Sequence, residues 1–351
     1  MGLNPYTDLP KTAFWKTGVA EENPYTINGI YKKKFKISPK TKIVTAGSCF
    51  AQHITHHLKK NGYNILDVEP PPPGLPENLH QKFGFSMYSA RYGNIYSVRQ
   101  LLQLTLEVAG KWTPQNHIWE KDGKYFDALR PNVEPEGLDS QEEVVEHRQY
   151  HLKKVREAFE QLDLFIFTLG LTEMWIHKES GTTFPTAPGT IAGEYEQCTY
   201  TFKNAQFRDV IQDFNQFQKT LKQLRGGKSF KTILTVSPVP LTASASGQHV
   251  LVSTSHSKSI LRSAAGQLSS KNKKIDYFPS YEIATNPRLH STSFEANLRS
   301  IRYETVDMVM QHFFSEHPPI NKHRRATNNE NEALKREVIQ CEEAIMENFA
   351  Q

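Results

Sequence analysis

Short apolar, β-branched runs alternate along this chain with segments whose apolar residues recur at the spacing of an α-helix. The apolar runs predict strands at residues 42–47, 63–68, 164–170, 231–238 and 274–278. The segments with helical spacing predict helices at about 50–60, 97–108, 207–224, 257–268 and 306–314, and a long helix capped by Ser140. This alternation favours an α/β fold with a doubly wound, mostly parallel sheet.

Four further segments are predicted to lie outside this framework. The polar sequence of residues 1–40 predicts an arm that wraps around the domain. Its aromatic anchors are expected to be Phe14, Trp15, Tyr25 and Tyr31. Residues 112–130 predict a hairpin whose turn is 121–124. Residues 178–205, which contain several Gly, Pro and Thr, predict an insertion over the carboxyl end of the sheet. The charged tail, 317–351, predicts a helix at 330–349 that either is solvated or binds a protein partner.

A serine lies at the turn between the first strand and the first helix. The strand pattern stops at Gly47 and the helical spacing starts at Phe50, so Ser48 falls between them. Glycine permits a sharp bend there, and the free N–H groups and positive dipole end of the helix point back at the turn. This arrangement favours a serine nucleophile beside donors for an oxyanion. A helix N-cap is the alternative role for Ser48.

Six sequence blocks carry a resemblance to a known family. They are residues 47–51 (GSCFA), 91–96 (RYGNIY), 167–173 (FTLGLTE), 184–189 (FPTAPG), 237–242 (SPVPLT) and 277–282 (YFPSYE). From about residue 42 to 314 the chain resembles the GSCFA family, which is related to the SGNH/GDSL hydrolases. The resemblance implies a three-layer α/β/α fold with loop and hairpin insertions, in a domain spanning 41–316, and it implies the chemistry of a serine hydrolase.

The resemblance also implies where the parts of an SGNH-type site lie. Ser48 is the expected nucleophile. The expected oxyanion donors are the backbone N–H of Ser48, Gly93 or the Asn94 amide, and a group near Gly170. Many SGNH enzymes have an asparagine in a Gly-x-Asn block at the last of these places. Residues 170–172 of this chain are Gly-Leu-Thr, so Thr172 is the nearest polar substitute and Asn94 is a second source of an amide.

The general base departs from the SGNH pattern. SGNH enzymes take histidine and aspartate from an Asp-x-x-His segment after the last strand, where this chain has Asn297 and Ser300. The alternative bases are, in order of preference, His249, His256 and His290. Glu173 is expected either to orient the histidine or to act as the base itself. We therefore expect the Ser48 hydroxyl to lie open at the edge of the sheet, with an imidazole or carboxylate beside it.

Three other side chains near these blocks are candidates for substrate contacts. Cys49 lies at a helix N-terminus that would stabilise a thiolate, so it is an alternative nucleophile; its other interpretation is a small buried filler. Residues 257–259 are predicted to begin a helix, and Lys258 there, together with Arg91, suits a phosphate or carboxylate. Such a site would fit an acyl-CoA donor or a charged sugar. The alternative is a capped surface helix.

Bulk properties exclude several classes of protein. The net charge of the 351 residues is only +5, which does not predict a nucleic-acid binder. The three cysteines, Cys49, Cys198 and Cys341, show neither a disulfide framework nor a metal-ligand spacing, which predicts a reducing compartment and no metal site. Apart from acyl-CoA as a donor substrate, no cofactor is expected. With no export signal and no apolar run of membrane-spanning length in the sequence, we expect a cytoplasmic location.

Two functions follow from these features. The first is an esterase or O-acyltransferase that acts on acetyl or other acyl esters of a carbohydrate or polysaccharide precursor through an acyl-enzyme at Ser48. The second is a catalytically degenerate, SGNH-like protein that binds acyl-CoA or a sugar in polysaccharide biosynthesis. The missing Asp-x-x-His favours the second, and the serine turn favours the first.

Overall fold

The computed structural model describes residues 4–320 and 342–350. The strands are β1 (Ile43–Gly47), β2 (Ile118–Lys121), β3 (Lys124–Asp127), β4 (Leu164–Leu169), β5 (Glu173–His177), β6 (Thr183–Phe184), β7 (Tyr200–Asn204), β8 (Lys231–Val236) and β9 (Ile275–Tyr277). The α-helices are α1 (Phe50–Lys60), α2 (Glu77–His80), α3 (Val98–Val108), α4 (Gln141–Gln161), α5 (Phe207–Leu224), α6 (Val250–Lys271), α7 (Ser280–Ala284), α8 (His290–Ser293) and α9 (Tyr303–Glu316). A short 3₁₀ segment at Lys11–Ala13, a π-helical turn at Lys16–Ala20 and a 3₁₀ helix at Glu342–Phe349 complete the described elements.

The central sheet has four parallel strands in the order β1-β4-β8-β9. In its register Gly47 lies opposite Thr168, which in turn lies opposite Thr235. Because all strands run the same way, their carboxyl ends meet at one edge, where ligands bind in open parallel sheets. Ser48, Gly170 and Ser237, the residues just beyond these ends, therefore come together there.

Helices cover both faces of this sheet, which confirms the predicted three-layer α/β/α fold. Successive strand residues point to opposite faces, so Phe165 and Phe167 belong to one core cluster and Leu164 and Ile166 to the other. The first cluster includes buried residues of α3, α4, α5 and α6. The second includes buried residues of α1, α7 and α9. Burial on both faces explains why the strands are apolar throughout rather than alternating.

The strand predicted at 63–68 does not form. Only one bridge remains, between Ile65 and Ile43, with the Leu66 N–H donating to the Ile43 carbonyl at 2.9 Å. The next donor is the Val68 N–H, which binds the Ser89 carbonyl at 3.0 Å instead. The chain therefore leaves the sheet edge within two residues of the bridge. Its β-branched residues, Ile65 and Val68, pack against the core instead of forming a run of strand hydrogen bonds.

Both predicted insertions carry regular structure. β2 and β3 form the predicted hairpin, in which Asp122 and Gly123 take left-handed conformations at φ 53° and 73°. The insertion after β4 is an antiparallel sheet of three strands in the order β6-β5-β7, and it begins at Glu173 rather than at 178. Phe184 of β6 packs on Trp119 of the hairpin, so the two insertions share a small core.

The helix predicted to begin at 257 begins earlier, at Val250. Residues 250–257 have few apolar positions with helical spacing because several small polar residues face the protein interior, and Ser253 and Ser257 are buried. Lys258 consequently lies in the interior of α6 and not in its first turn. The predicted helix-terminal anion site at this lysine is wrong for that reason.

The arm is held at its carboxyl end. Tyr31 is buried, and its hydroxyl donates to Asp276 Oδ2 at 3.0 Å, whereas Trp15 and Tyr25 are exposed. The predicted tail helix at 330–349 lies mostly outside the described residues; the part within them, Glu342–Phe349, is a 3₁₀ helix. Across residues 4–320 and 342–350, no helix is long and apolar enough to cross a membrane.

A buried cluster of charged residues joins α4 to the hairpin. Arg148 binds Asp127 of β3, with Nη1 3.0 Å from Oδ2, and one turn further along α4 His151 Nδ1 lies 2.7 Å from Glu69 Oε2. Burial lowers the pKa of His151 to about 4, and the positive charge of Arg130 acts in the same direction. His151 is thus a neutral donor to the Glu69 carboxylate at neutral pH.

We predict that this histidine makes the fold sensitive to acid. The unfolded chain takes up a proton on His151 near its ordinary pKa of 6.5, whereas the folded chain does so only near pH 4. The unfolded state binds more protons between these values, so the free energy of unfolding falls as the pH drops through that window. In urea titrations, His151→Gln should be less stable than wild type at neutral pH and should lose less stability on acidification.

The exposed His290 supplies the matched control. His290→Gln should keep the wild-type dependence of the urea midpoint on pH. Parallel pH curves for wild type and His151→Gln would contradict the assignment.

Candidate functional site

The turn between β1 and α1 can be made only with glycine at position 47. Gly47 has φ 145°, and a Cβ there would lie 2.6 Å from the Thr168 carbonyl oxygen of the neighbouring strand. The Ser48 N–H donates to this same carbonyl at 3.2 Å, which extends the ladder one residue past the strand. The bend therefore fixes Ser48 at the carboxyl edge of the sheet, just before the N-terminus of α1.

The Ser48 hydroxyl is enclosed rather than open. Ser48 is 2% exposed, and its Oγ has no hydrogen-bond partner among the residues that the structure describes. The expectation of an open hydroxyl beside an imidazole or carboxylate is therefore wrong. An unsatisfied buried hydroxyl costs about 1–3 kcal/mol, so the fold retains this one at the expense of stability.

A small cavity adjoins Ser48. Its walls come from the turn (Ser48, Cys49), from Tyr96, from the residues after β4 (Gly170, Leu171), from the residues after β8 (Ser237, Val239, Pro240, Leu241) and from Lys258 of α6. Its volume is about 10 Å³, which is about enough for one water molecule. Among the described residues, no imidazole and no carboxylate lines it, and Lys258 is its one cationic side chain.

Lys258 reaches the cavity from the buried side of α6. It is 2% exposed, and its Nζ donates to the Gly170 carbonyl at 2.6 Å. An amine buried this deeply needs a polar partner, and the carbonyl at the end of β4 supplies one. Lys258 was predicted as a contact for anions at a helix start, and the structure places it beside the serine turn instead.

Gly170 brings the second strand end against the serine. Its N–H and that of Leu171 donate to the Tyr96 carbonyl at 3.0 and 3.1 Å. A Cβ on Gly170 would lie 2.9 Å from Ser48 Cβ and 2.9 Å from the Tyr96 oxygen. The predicted association of Gly170 with Ser48 is thus a direct backbone-to-side-chain contact.

The other predicted oxyanion donors do not line the cavity. The Thr172 N–H donates to Ser257 Oγ at 3.0 Å, and its hydroxyl donates to Asn204 Oδ1 at 2.6 Å, so both of its donors are engaged elsewhere. Asn94 is buried, with Oδ1 accepting from Gln52 Nε2 at 3.1 Å, and Gly93 supports its turn with φ 65°. The predicted donor at the Ser48 N–H is engaged by the Thr168 carbonyl. In the first turn of α1, the Ala51 and Gln52 N–H groups donate to the Ser48 and Cys49 carbonyls at 2.8 and 3.1 Å, so this terminus acts on an anion mainly through the positive end of the helix dipole.

None of the predicted histidines lines the cavity. His249 is exposed at the N-cap of α6, where its Nδ1 accepts from the Leu251 N–H at 3.2 Å. His256 and His290 are also exposed. Glu173 accepts from Ser244 Oγ at 2.7 Å and thereby anchors the loop before α6; burial raises the pKa of its carboxyl. The structure therefore does not bring these candidate bases to Ser48.

The segment in place of Asp-x-x-His forms a self-contained surface turn. Asn297 Oδ1 accepts from the Arg299 and Ser300 N–H groups at 3.0 and 2.9 Å, and its Nδ2 donates to Ser300 Oγ at 3.0 Å. Asn297 and Ser300 are both exposed. This segment supplies no proton acceptor at the cavity.

Two further predicted residues differ in their relation to the site. Cys49 is 5% exposed and lines the cavity, so its thiol stays an alternative nucleophile. Arg91 is engaged away from the cavity: its Nη2 lies 2.7 Å from Glu134 Oε1, and its guanidinium stacks 3.9 Å above the Phe85 ring. It ties the loop before Asn94 to the 130–137 segment and has no place in this site.

Sequence reasoning missed the contribution of Tyr96 and the true position of Lys258. Both lie within segments that the sequence did single out, 91–96 and 257–259, but their contacts arise from tertiary packing. The described residues also contain no cluster of His, Cys, Asp or Glu that could hold a metal ion.

Comparison with known proteins identifies one match. The model of the GSCFA family matches residues 42–313. No curated protein and no solved structure matches the chain.

We predict that the close approach at Gly170 makes this position intolerant of a side chain. Gly170→Ala should destabilise the protein by about 1–3 kcal/mol, because neither strand end can move freely to admit a methyl group. Urea unfolding measures this. Gly266→Ala is the control, since its Cβ would meet only the flexible end of Arg262 within 4 Å and helical alanine is favoured over glycine. Equal midpoints for the two variants would refute the packing argument.

Proposed function

This chain belongs to the GSCFA family, and from that premise we propose that it performs acyl-ester chemistry at Ser48, either hydrolysing an ester or transferring its acyl group. The observation that carries the proposal is the Ser48 hydroxyl itself. It is held on a glycine turn, without a hydrogen-bond partner among the described residues, in a cavity that also contains an amine. A relationship to the SGNH/GDSL hydrolases forms part of this proposal.

The geometry supports a two-step mechanism. Ser48 Oγ attacks the ester carbonyl carbon and loses its proton to an acceptor in the cavity. The positive end of the α1 helix dipole stabilises the oxyanion that forms. The alcohol then leaves with a proton, and water or a second hydroxyl attacks the acyl-enzyme. Water as the acceptor gives an esterase, and a sugar hydroxyl gives an O-acyltransferase.

Substrate access requires the cover of the cavity to move. A cavity of about 10 Å³ cannot hold an acyl group. Val239, Pro240 and Leu241 form one wall in a loop rather than in a helix or strand. Displacement of this loop exposes Ser48 while leaving the sheet in place.

We predict that ester turnover depends on Ser48. Ser48→Ala should lower kcat/KM for p-nitrophenyl acetate by about 10³-fold or more. Ser255→Ala, at an exposed position on α6, is the matched control and should retain wild-type turnover. Equal turnover in wild type and Ser48→Ala would rule out the acyl-enzyme.

An aromatic face on the insertion after β4 supports a carbohydrate as the substrate. Trp175 of β5 and Phe202 of β7 lie opposite each other with ring centroids 5.8 Å apart, and Tyr195 stands edge-on to Trp175 at 5.3 Å. Tyr195 is 48% exposed and the other two rings are half-buried. Rings of this kind pack against the C–H face of a sugar while leaving its hydroxyl groups to polar partners. Trp175 is five residues beyond Gly170, at most about 18 Å along the chain.

We predict that this face affects sugar esters only. Trp175→Ala should raise KM for an acetylated oligosaccharide about tenfold and leave kcat/KM for p-nitrophenyl acetate unchanged. Tyr150→Ala removes an exposed ring from α4 and should change neither. If Trp175→Ala leaves KM for the oligosaccharide at its wild-type value, the aromatic face has no part in substrate binding.

A second function is favoured by a separate observation. Asn297 and Ser300 occupy the place of the aspartate and histidine of SGNH enzymes, and the Ser48 cavity, at about 10 Å³, is too small for an acyl group. A binding protein for acyl-CoA or a sugar ester in polysaccharide biosynthesis would need neither turnover nor a histidine. Saturable binding of such a ligand, with no turnover in wild type, would establish this function in place of the first.

A further inference from the structure

One cationic side chain lies in the cavity with the Ser48 hydroxyl. Lys258 extends from the interior of α6, a helix whose N-terminus lies eight residues earlier. With 2% of its surface exposed, Lys258 is as deeply buried as Ser48. Lysine is rarely buried to this extent, and a buried titratable group that lines a cavity is a candidate for a chemical role.

The amine is anchored to the residue that packs against the serine. Lys258 Nζ donates to the Gly170 carbonyl at 2.6 Å. The Cα of that same glycine faces Ser48, since a Cβ built there would lie 2.9 Å from Ser48 Cβ. The helix and the strand end thus bring the amine to the same cavity as the nucleophile. Because Ser48 Oγ has no hydrogen-bond partner among the described residues, the two groups are not hydrogen-bonded to each other here, and proton transfer requires the lysine side chain to turn or one water molecule to bridge them.

No other base of the described chain shares the cavity. The imidazoles of His249, His256 and His290 are exposed outside it, and Glu173 is engaged with Ser244. The other titratable groups in the cavity wall are Cys49 and Tyr96. On α6, the next cation is Arg262, which pairs with Glu282.

We propose that Lys258 is the general base for Ser48, in place of the imidazole that other serine hydrolases use. This role rests on the proposed acyl chemistry. Desolvated lysines can act as bases because water no longer stabilises their charged form. A neutral amine keeps two N–H donors and one lone pair, so it can bind the Gly170 carbonyl and still accept a proton.

The proton balance closes without a further group. The Ser48 Oγ–H proton passes to the neutral Lys258 amine as the bond from Oγ to the acyl carbon forms. The resulting ammonium returns this proton to the leaving alkoxide when the ester C–O bond breaks. In the second step the amine takes a proton from water or a sugar hydroxyl and returns it to Ser48 as the acyl–oxygen bond breaks.

The test combines covalent labelling by a fluorophosphonate with substitution of the lysine. Lys258→Met removes the base and keeps the length of the side chain, and Lys258→Arg keeps a cation and its donors but cannot release a proton at working pH. We expect both variants to label Ser48 about 10²–10⁴-fold more slowly than wild type. Lys271→Met, exposed at the end of the same helix, should label at the wild-type rate.

Two measurements keep this test decisive. If Lys258→Arg labels at the wild-type rate, the lysine acts only through its charge and the base assignment is overturned. If the Lys258 variants do not fold, the double variant His249→Ala/His256→Ala tests the assignment instead. Unchanged labelling of this variant supports Lys258 as the base. Loss of labelling assigns the base to a histidine. Absence of any labelling in wild type would instead refute the acyl-enzyme itself.

Discussion

The close approach of two strand ends, β1 and β4, determines the geometry of this site. Gly47 lies opposite Thr168 in the ladder, and a side chain at 47 would collide with the neighbouring backbone. One residue further on, Ser48 packs against Gly170, which also lacks room for a Cβ. Glycine at both places lets the backbone at the end of β4 and the side chain of Ser48 occupy adjacent space, and Ser48 and Gly170 both line the cavity.

The chemistry of the cavity follows from its enclosure. A hydroxyl and an amine, each 2% exposed, line one small volume, where charges interact more strongly than at the surface. The hydrogen bond to the Gly170 carbonyl offsets part of the hydration that the buried Lys258 amine has lost. The N-terminus of α1 adds a positive potential at the cavity wall. The cavity of this chain thus places a lysine, and no histidine or carboxylate of the described residues, in its wall with the serine.

The sequence predicted the layers and the serine turn because both depend on local pattern. Apolar runs such as 164–170 identify buried parallel strands, and glycine before a helix identifies a bend. The sequence could not predict which side chains meet the serine, because Lys258 is 210 residues away and its contact depends on how α6 packs. The predicted start of α6 was wrong because buried serines such as Ser253 occupy positions where an amphipathic helix usually has apolar residues. The predictions of His249, His256 and His290 as bases were wrong because a loop that leaves the carboxyl edge of a sheet does not determine where its side chains point.

The most direct measurement is a crystal structure of the protein after reaction with a fluorophosphonate. Our account predicts phosphorus bonded to Ser48 Oγ, with Lys258 Nζ within about 3.2 Å of that oxygen and the 239–241 loop displaced from its position over the cavity. An adduct on Cys49, or a modified Ser48 with a histidine or carboxylate in place of the amine beside it, would contradict the account.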